Sequence, residues 1–580
     1  MLRLDLHSLV REVEAAEDFR DQHLREWRRL IERYHGPAYR GGDTSEDDPE
    51  NFVHEYVSLI MPRIVHDSPR VRVKSSRPVS QSMTAGVLQV ALNRWTKMTK
   101  LRNTLERIAT DCLLGYGVAM VVNEPREGYR ATDGQDPWLP RVYRISPDRF
   151  FIDPAATHAE DARYMGHCWV VDRDDLLAQA EREEGWDIDV INRIADNSGV
   201  DEVREDYGKK REVPDRKELV VYEVFVPEVR EEDVEEVDGA LGMAAFNGTI
   251  YTMLKGQSSD PNKKDPAGFV RKPRPYWGPR NGPYSVFGCY TVPDDPYPLS
   301  PIVCLVPQMD DVNAHLRSMR YSASAYKRVV AVDSRNAKLA QDIRDRDDLY
   351  VVLADGIDPT QVVPFEVGGI TPQQVQYASM AQDRLDRVSG IHDAMRGNIT
   401  GQPTATEVSI AESATGMRMA HLKKQFAENV NEVMRTVAWY LFHDRKVTFP
   451  LGEDGIVVMG EPEPIFTASA MVGLFDDLDI DIDVMSMERV SDVVLQRRAM
   501  ELLQLVGTLS TAVVSSPQVK WKDVMQIVGD AMNIPNLADL IDSQKVQQMQ
   551  QAVVQAPQGG GRPETPSQSM AQILGRNKGR

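Results

Sequence analysis

The sequence predicts a multidomain α+β chain, and three observations carry that reading. At 580 residues the chain is too long for one compact core, and a range of roughly 100–200 residues per domain suggests three to five units. Segments whose apolar residues recur at helical spacing are interspersed with short β-branched runs. Between two proline-started helices lies a strand–helix–strand segment of only about 40 residues, too small to bury much core without neighbours.

Leu9, Val10, Val13, Phe19, Leu24, Trp27, Leu30 and Ile31 predict a helix over 5–35. GGDTSEDDPE at 41–50 is a turn-rich acidic loop. Asn51 to Val65 reads as a second helix, ended near Ser68-Pro69, and VRVKSS alternates as a short strand. Helical periodicity resumes over 79–120 through Leu92, Trp95, Leu101, Leu105, Ile108 and Leu113, and LLGYGVAMVV (113–122) turns that helix into a strand at Gly115 and Gly117. From 140 to 300 the chain is mixed. RVYRISPDRFFIDP holds two strand-like runs, VVYEVFV (220–226) is a strand, and the charged EVREEDVEEVDG is a loop. RKPRPYWGPRNGPYSVFGCY must be irregular or lie at a sheet edge, because proline cannot donate to a ladder.

Ser300-Pro301 predicts a helix start by two rules: serine accepts from orphan amides, and proline fits the first helical position. Val303, Val306, Met309, Val312, Leu316 and Met319 then continue it to about Arg328. RVVAVD (328–333), DLYVVL (348–353) and QVVPFEV (361–367) read as strands, with NAKLAQDIRDR a helix between the first two. Thr371-Pro372 repeats the start signal, and Val375, Ala378, Leu385 and Val388 carry a helix to about Gly390. MRGNITGQPT (395–404) is a polar loop. Thr404-Ala405-Thr406-Glu407 fits a capping box opening a helix that reaches Asp444. Short strands follow over 445–487, including IDIDVM, and helices over 490–545. Beyond 545 the Gln/Pro/Gly/Ser-rich tail is expected to be disordered in the free subunit.

Hydrophobic residues make up 42% and charged residues 27%, which excludes collagen-like, wholly disordered and membrane-spanning chains. A net charge of −20 is the opposite of what phosphate-driven DNA binding favours. Either nucleic acid is not a ligand, or it must pass without sticking. Cys112, Cys168, Cys289 and Cys304 form no CxxC pair, which argues against a zinc site and a disulfide framework and for a reducing compartment. Acids stand where a signal peptide would have its apolar core, and no stretch approaches the ~18 apolar residues of a membrane span. The chain is expected to be made in the cytoplasm and to have no membrane partner.

No GxxxxGK[ST], HExxH, GxSxG or GxGxxG occurs, so no catalytic residue, metal ligand or cofactor is assigned. Asp476, Asp477, Asp479, Asp481 and Asp483 form the densest carboxylate run. Their spacing suits a solvated strand face and lacks the glycine and glutamate of a calcium loop. His315 and His392 lack visible orienting partners for acid–base work. The sequons at Asn247 and Asn398 are chance matches in a chain with no secretion signal.

The order helix, small α/β insert, helix, polar loop, long helix resembles the core of tailed-bacteriophage portal proteins. NFVHEYVSLIMPRIVHDSPRVRV, LLGYGVAMVV, ISPDRFFIDPAA and TATEV (404–408) resemble segments of that family in the same order over about 400 residues. The resemblance implies a portal-type ring subunit. Residues 1–299 and 445–490 would form a wing, 300–328 and 371–392 a helical stem, and 329–370 a small α/β clip. Residues 393–406 would be a tunnel loop, 404–444 a long wing helix, 491–545 a helical crown and 546–580 a tail. That tail is too short for the long C-terminal barrel of many portals. The resemblance further implies a homo-oligomeric ring, usually of twelve subunits, at one capsid vertex of the virion. Its partners would be the terminase large subunit, head-completion or adaptor proteins, major capsid and scaffolding proteins, and double-stranded DNA passing without sequence readout. An acidic lumen would let DNA slide. On this reading Arg396, Asn398, Thr400 and Gln402 of the loop, and Lys327 and Arg328 at the stem–clip junction, touch the DNA backbone. Val306, Met309, Leu316, Leu385 and Val388 pack the stem. Two other readings stay open: another head–tail adaptor or minor capsid protein, and a cytosolic enzyme using the carboxylate run.

Overall fold

The structure is a computed structural model that describes residues 6–36, 50–77, 80–125, 137–183, 185–197, 218–228, 246–256, 269–335, 338, 341, 350–355, 363–391, 405–460 and 463–487. All of these belong to one compact unit, 1–489; the second unit, 490–580, lies outside the described residues. The predicted crown and tail therefore lie outside them too.

Helix α1 (Leu6–His35) serves two cores. Its first half, Leu6 to Ala16, packs with Phe151, Tyr164, Tyr222 and Tyr251, whereas Leu24, Trp27 and Leu30 enter the main helical core. Helix α2 (Phe52–Ile64) starts at Asn51, whose side chain accepts from the His54 amide at 3.0 Å. Strand β1 (Arg70–Ser75) follows, then α3 (Ser82–Met98) and α4 (Leu101–Leu114). The single helical stretch expected over 79–120 is thus two helices. Lys100 turns the chain between them in the left-handed region, at φ 51°, where a side chain other than glycine or asparagine is uncommon. β2 (Gly117–Pro125) leaves α4 so closely that a Cβ on Gly117 would lie 2.7 Å from the Ile108 carbonyl oxygen. Only glycine fits there.

Strands β3 (Trp138–Ile145), β4 (Phe150–Ile152) and β5 (Met165–Asp172) come next, then helices α5 (Arg173–Arg182) and α6 (Ile188–Asn197). They are followed by β6 (Glu218–Val226), β7 (Phe246–Leu254), β8 (Arg271–Trp277), β9 (Tyr284–Phe287), β10 (Tyr290–Val292) and β11 (Asp295–Leu299). One antiparallel sheet has the order β4-β5-β6-β7-β8 and another the order β3-β2-β9. Strand β6 is near-continuously apolar because it lies inside the larger sheet, with apolar residues buried on both faces. Strand β8, which carries Pro273 and Pro275, lies at that sheet's edge, where a missing amide costs no ladder bond.

The stretch from 300 onward holds α7 (Val306–Ser324), β12 (Lys327–Asp333), β13 (Tyr350–Ala354), β14 (Val363–Val367) and α8 (Pro372–Ser389). Then come α9 (Ala405–His443), β15 (Thr448–Pro450), α10 (Glu453–Met459), β16 (Ile465–Thr467) and β17 (Leu478–Asp483). Helix α9 has 39 residues, about 58 Å at 1.5 Å per residue. Its C-terminal half is the spine of the main core: Val430, Val433, Met434, Val437, Ala438 and Leu441 are fully buried. Strand β17 returns to pair antiparallel with β1, so the chain on either side of α7–α9 closes one layer.

Candidate functional site

Helices α7 and α8 leave the main core together and bracket a small sheet. Ser300 does not begin α7 directly. Its hydroxyl accepts from the Ile302 amide at 3.0 Å and donates to the Leu113 carbonyl at 2.6 Å, tying this turn to the end of α4. Ile302 and Leu305 are buried, and the chain makes one tight turn over Val303–Leu305 before the α-helix opens at Val306. Pro307, not Pro301, occupies its first turn. The helix also stops at Ser324 rather than near Arg328, because Lys327–Asp333 is claimed by pairing with two strands.

The start of α8 matches its sequence signal. Thr371 Oγ1 accepts from the Gln374 amide at 3.3 Å, the Thr371 amide donates to Gln374 Oε1 at 2.9 Å, and Pro372 follows. The helix ends at Gly390 in the left-handed conformation, and Arg418 of α9 donates to the Arg387 and Val388 carbonyls at 3.3 and 2.9 Å. This C-terminal clamp is a contact between residues thirty apart, which spacing alone does not reveal.

The two helices run antiparallel. The Gly369 amide donates to the Ser322 carbonyl at 3.1 Å and Gln374 Nε2 donates to Ser322 Oγ at 3.2 Å, which joins the end of α7 to the start of α8. Midway, the rings of His315 and Tyr377 lie 4.2 Å apart. At the other end Leu305, Met309 and Leu385 share one buried cluster. Met309 and Leu385 are thus buried, while Val306 and Leu316 are half-buried against the main core of the same chain. Val388 is 43% exposed.

Helix α8 buries only the narrow stripe Ala378, Ala381 and Leu385. Val375 is 50% exposed and Met380 47%, and Tyr321 on α7 is 75% exposed. At 3.6 residues per turn, Val375 lies about 90° to one side of that stripe and Met380 about 130° to the other. The off-stripe apolar residues were visible in the sequence as a helix whose hydrophobic positions fail to share one face. Each helix carries two aspartates and two arginines: Asp310, Asp311, Arg317 and Arg320 on α7, and Asp383, Asp386, Arg384 and Arg387 on α8. The pair itself is electrically balanced. Asp310 is bound by Arg33 of α1 at 2.6 Å.

Between the helices, β12 is the central strand of the order β13-β12-β14, parallel to β13 and antiparallel to β14. The three strands match the sequence reading; the helix expected between the first two lies almost wholly outside the described residues. Lys327 opens β12 and is exposed at the junction with α7, with Arg328 next in the strand. Arg396, Asn398, Thr400 and Gln402 lie outside the described residues, as do His392 and the cap residue Thr404.

The aspartate run forms a charge ladder. Asp479, Asp481 and Asp483 on β17 stand opposite Lys74, Arg72 and Arg70 on β1. Arg72 reaches Asp483 at 2.9 Å and Arg77 reaches Asp477 at 3.1 Å. No group of three or more histidine, cysteine or acidic side chains among the described residues is arranged to hold a metal ion. None of the described helices is long and apolar enough to cross a membrane. No family description and no curated protein matches the sequence.

Proposed function

We propose that this chain is one subunit of a portal-type ring that surrounds a channel for double-stranded DNA at one vertex of a phage capsid. The observation that supports this most is the antiparallel pair α7–α8 bracketing a small sheet, with apolar side chains left uncovered on two sides of the pair. A closed ring needs a head-to-tail interface, in which each copy offers two different surfaces. Val375 on one flank and Met380 on the other meet that need. A helix pair with balanced charge neither traps nor strongly repels phosphates, so the duplex slides. On this reading the wing is built from 1–299 and 445–490 joined through β1–β17, and Lys327 and Arg328 stand at the stem–clip junction. The chain performs no catalysis itself; it docks a terminase during packaging and head-completion proteins afterwards.

The test is imaging of the purified full-length chain by negative stain with native mass spectrometry. Closed rings of about twelve copies with an axial hole are expected. A monodisperse monomer or dimer at every concentration and salt tested would sink the proposal.

A further inference from the structure

Although the whole chain carries −20, residues 94–107 hold five cations, Arg94, Lys97, Lys100, Arg102 and Arg107, against the single acid Glu106. They occupy the end of α3, the corner, and the first half of α4. Arg94, Lys97, Lys100 and Arg107 are exposed. None of the five has a carboxylate within ion-pair distance among the described residues, and Arg102 Nε is buried with no hydrogen-bond partner there. The corner also edges a cavity of about 370 Å³, lined by the apolar Met98, Leu101, Leu139 and Val142 together with polar groups that include Lys100 and Arg141. Arg141 is paired with Glu124 at 3.1 Å, and the Tyr143 hydroxyl donates to the same carboxylate at 2.7 Å.

The corner is held firmly. Trp95 is fully buried and its Nε1 donates to the Pro140 carbonyl at 2.8 Å, fixing the end of α3 to β3. Lys100 sits in a backbone conformation that favours glycine, yet presents a cation. No large apolar side chain of 94–107 is exposed. A protein–protein interface needs an apolar centre, whereas phosphate contacts need only fixed positive charge.

We propose that the α3–α4 corner is a phosphate-contact surface that holds duplex DNA without reading its sequence. It is separate in sequence from the helix pair and does not rest on the ring reading. Cations with no carboxylate partner among the described residues neutralise backbone phosphates and release their counterions. The partner is duplex rather than an acidic protein because the exposed side chains of 94–107 are all charged or polar, four of them cations.

The experiment is fluorescence anisotropy of labelled DNA duplexes of two unrelated sequences against the full chain, from ~50 to 200 mM salt. Wild type is expected to bind both alike, with affinity falling steeply as salt rises. Lys97→Glu/Lys100→Glu/Arg107→Glu is expected to weaken binding at least ~10-fold at low salt and to make the log–log salt slope shallower by about 2 to 3. Thermal midpoint and oligomer size should match wild type. Should that variant misfold, Lys97→Gln/Lys100→Gln should bind several-fold more weakly, while Lys97→Arg/Lys100→Arg should bind as wild type. Equal affinity of wild type and the charge-reversed chain overturns the proposal. So does displacement of the duplex by polyglutamate charge for charge, which would make the patch an acidic-protein surface. Loss of binding on deleting 396–402 but not on reversing the patch overturns it as well, and ring images of the same samples report separately on the assembly.

Discussion

His167 shows how a single residue couples this fold to pH. It is buried on β5, its Nδ1 lies 2.7 Å from the Tyr284 hydroxyl, and its ring stacks on Trp169. Burial disfavours the imidazolium and holds the folded pKa below its ordinary value, with Glu223 opposing and Arg149 adding to the depression. In the unfolded chain the ring takes up a proton near about 6.5. Between the depressed folded value and that point the unfolded state binds more protons, so stability rises with pH and is lost on acidification. The advantage of wild type over His167→Gln in thermal midpoint is therefore expected to shrink steadily from pH 7 to pH 5; a constant difference would show that the ring is not held neutral. Nothing in the spacing of eleven histidines marks this one. Nor does spacing bring Cys112 and Cys289 together, 177 residues apart, although their sulfurs lie 3.3 Å from each other. The hydrogen bond to Cys289 and burial push the Cys112 thiol up, which keeps it protonated. Such contacts depend on which elements pack, and periodicity does not specify that.

Elements were legible where the local signal and the tertiary demand agree. Thr371-Pro372 is read correctly because, among the described residues, no other group competes for the Thr371 hydroxyl, and the expected end at Gly390 coincides with a left-handed cap. Ser300-Pro301 carries the same signal and misleads, because the hydroxyl is drawn to the Leu113 carbonyl and the core claims Ile302 and Leu305 first. The α3–α4 break was invisible, since Lys100 takes a left-handed turn without glycine or asparagine. The prolines of β8 were informative because proline excludes a central strand whatever the packing. The capping box on α8 gives a direct measurement. Thr371→Ala removes one acceptor from the first turn and is expected to cost about 1 kcal/mol. Hydrogen exchange at the Gln374 and Val375 amides should accelerate while α9 amides keep their protection. Unchanged exchange in that first turn would mean the box contributes nothing.

For the whole molecule, the β1–β17 pairing joins segments some four hundred residues apart, and only alternating charge in each strand hinted at it. The alternation also gave the aspartate run its strand-face reading, though the opposing cations of β1 were not foreseen. The packing of α7 and α8 shows a similar gap. Helical spacing correctly marks Val306, Leu316 and Leu385 as apolar positions on helices, but spacing cannot tell a core of one chain from a contact between chains. Val306 and Leu316 lean on the main core of the same chain. Aspartate at either is expected to lower the thermal midpoint and yield insoluble protein, because it forces charge among apolar neighbours. Val375 and Met380 stand half-exposed on opposite flanks of α8. Val375→Asp/Met380→Asp should leave the isolated chain folded, since both side chains already meet water. If rings form through these flanks, each interface then gains unpaired carboxylates on both of its sides, and size-exclusion chromatography should give a monomer that still unfolds cooperatively, at a midpoint no higher than that of the ring. Intact rings from that double variant would place the contact between copies elsewhere than α8.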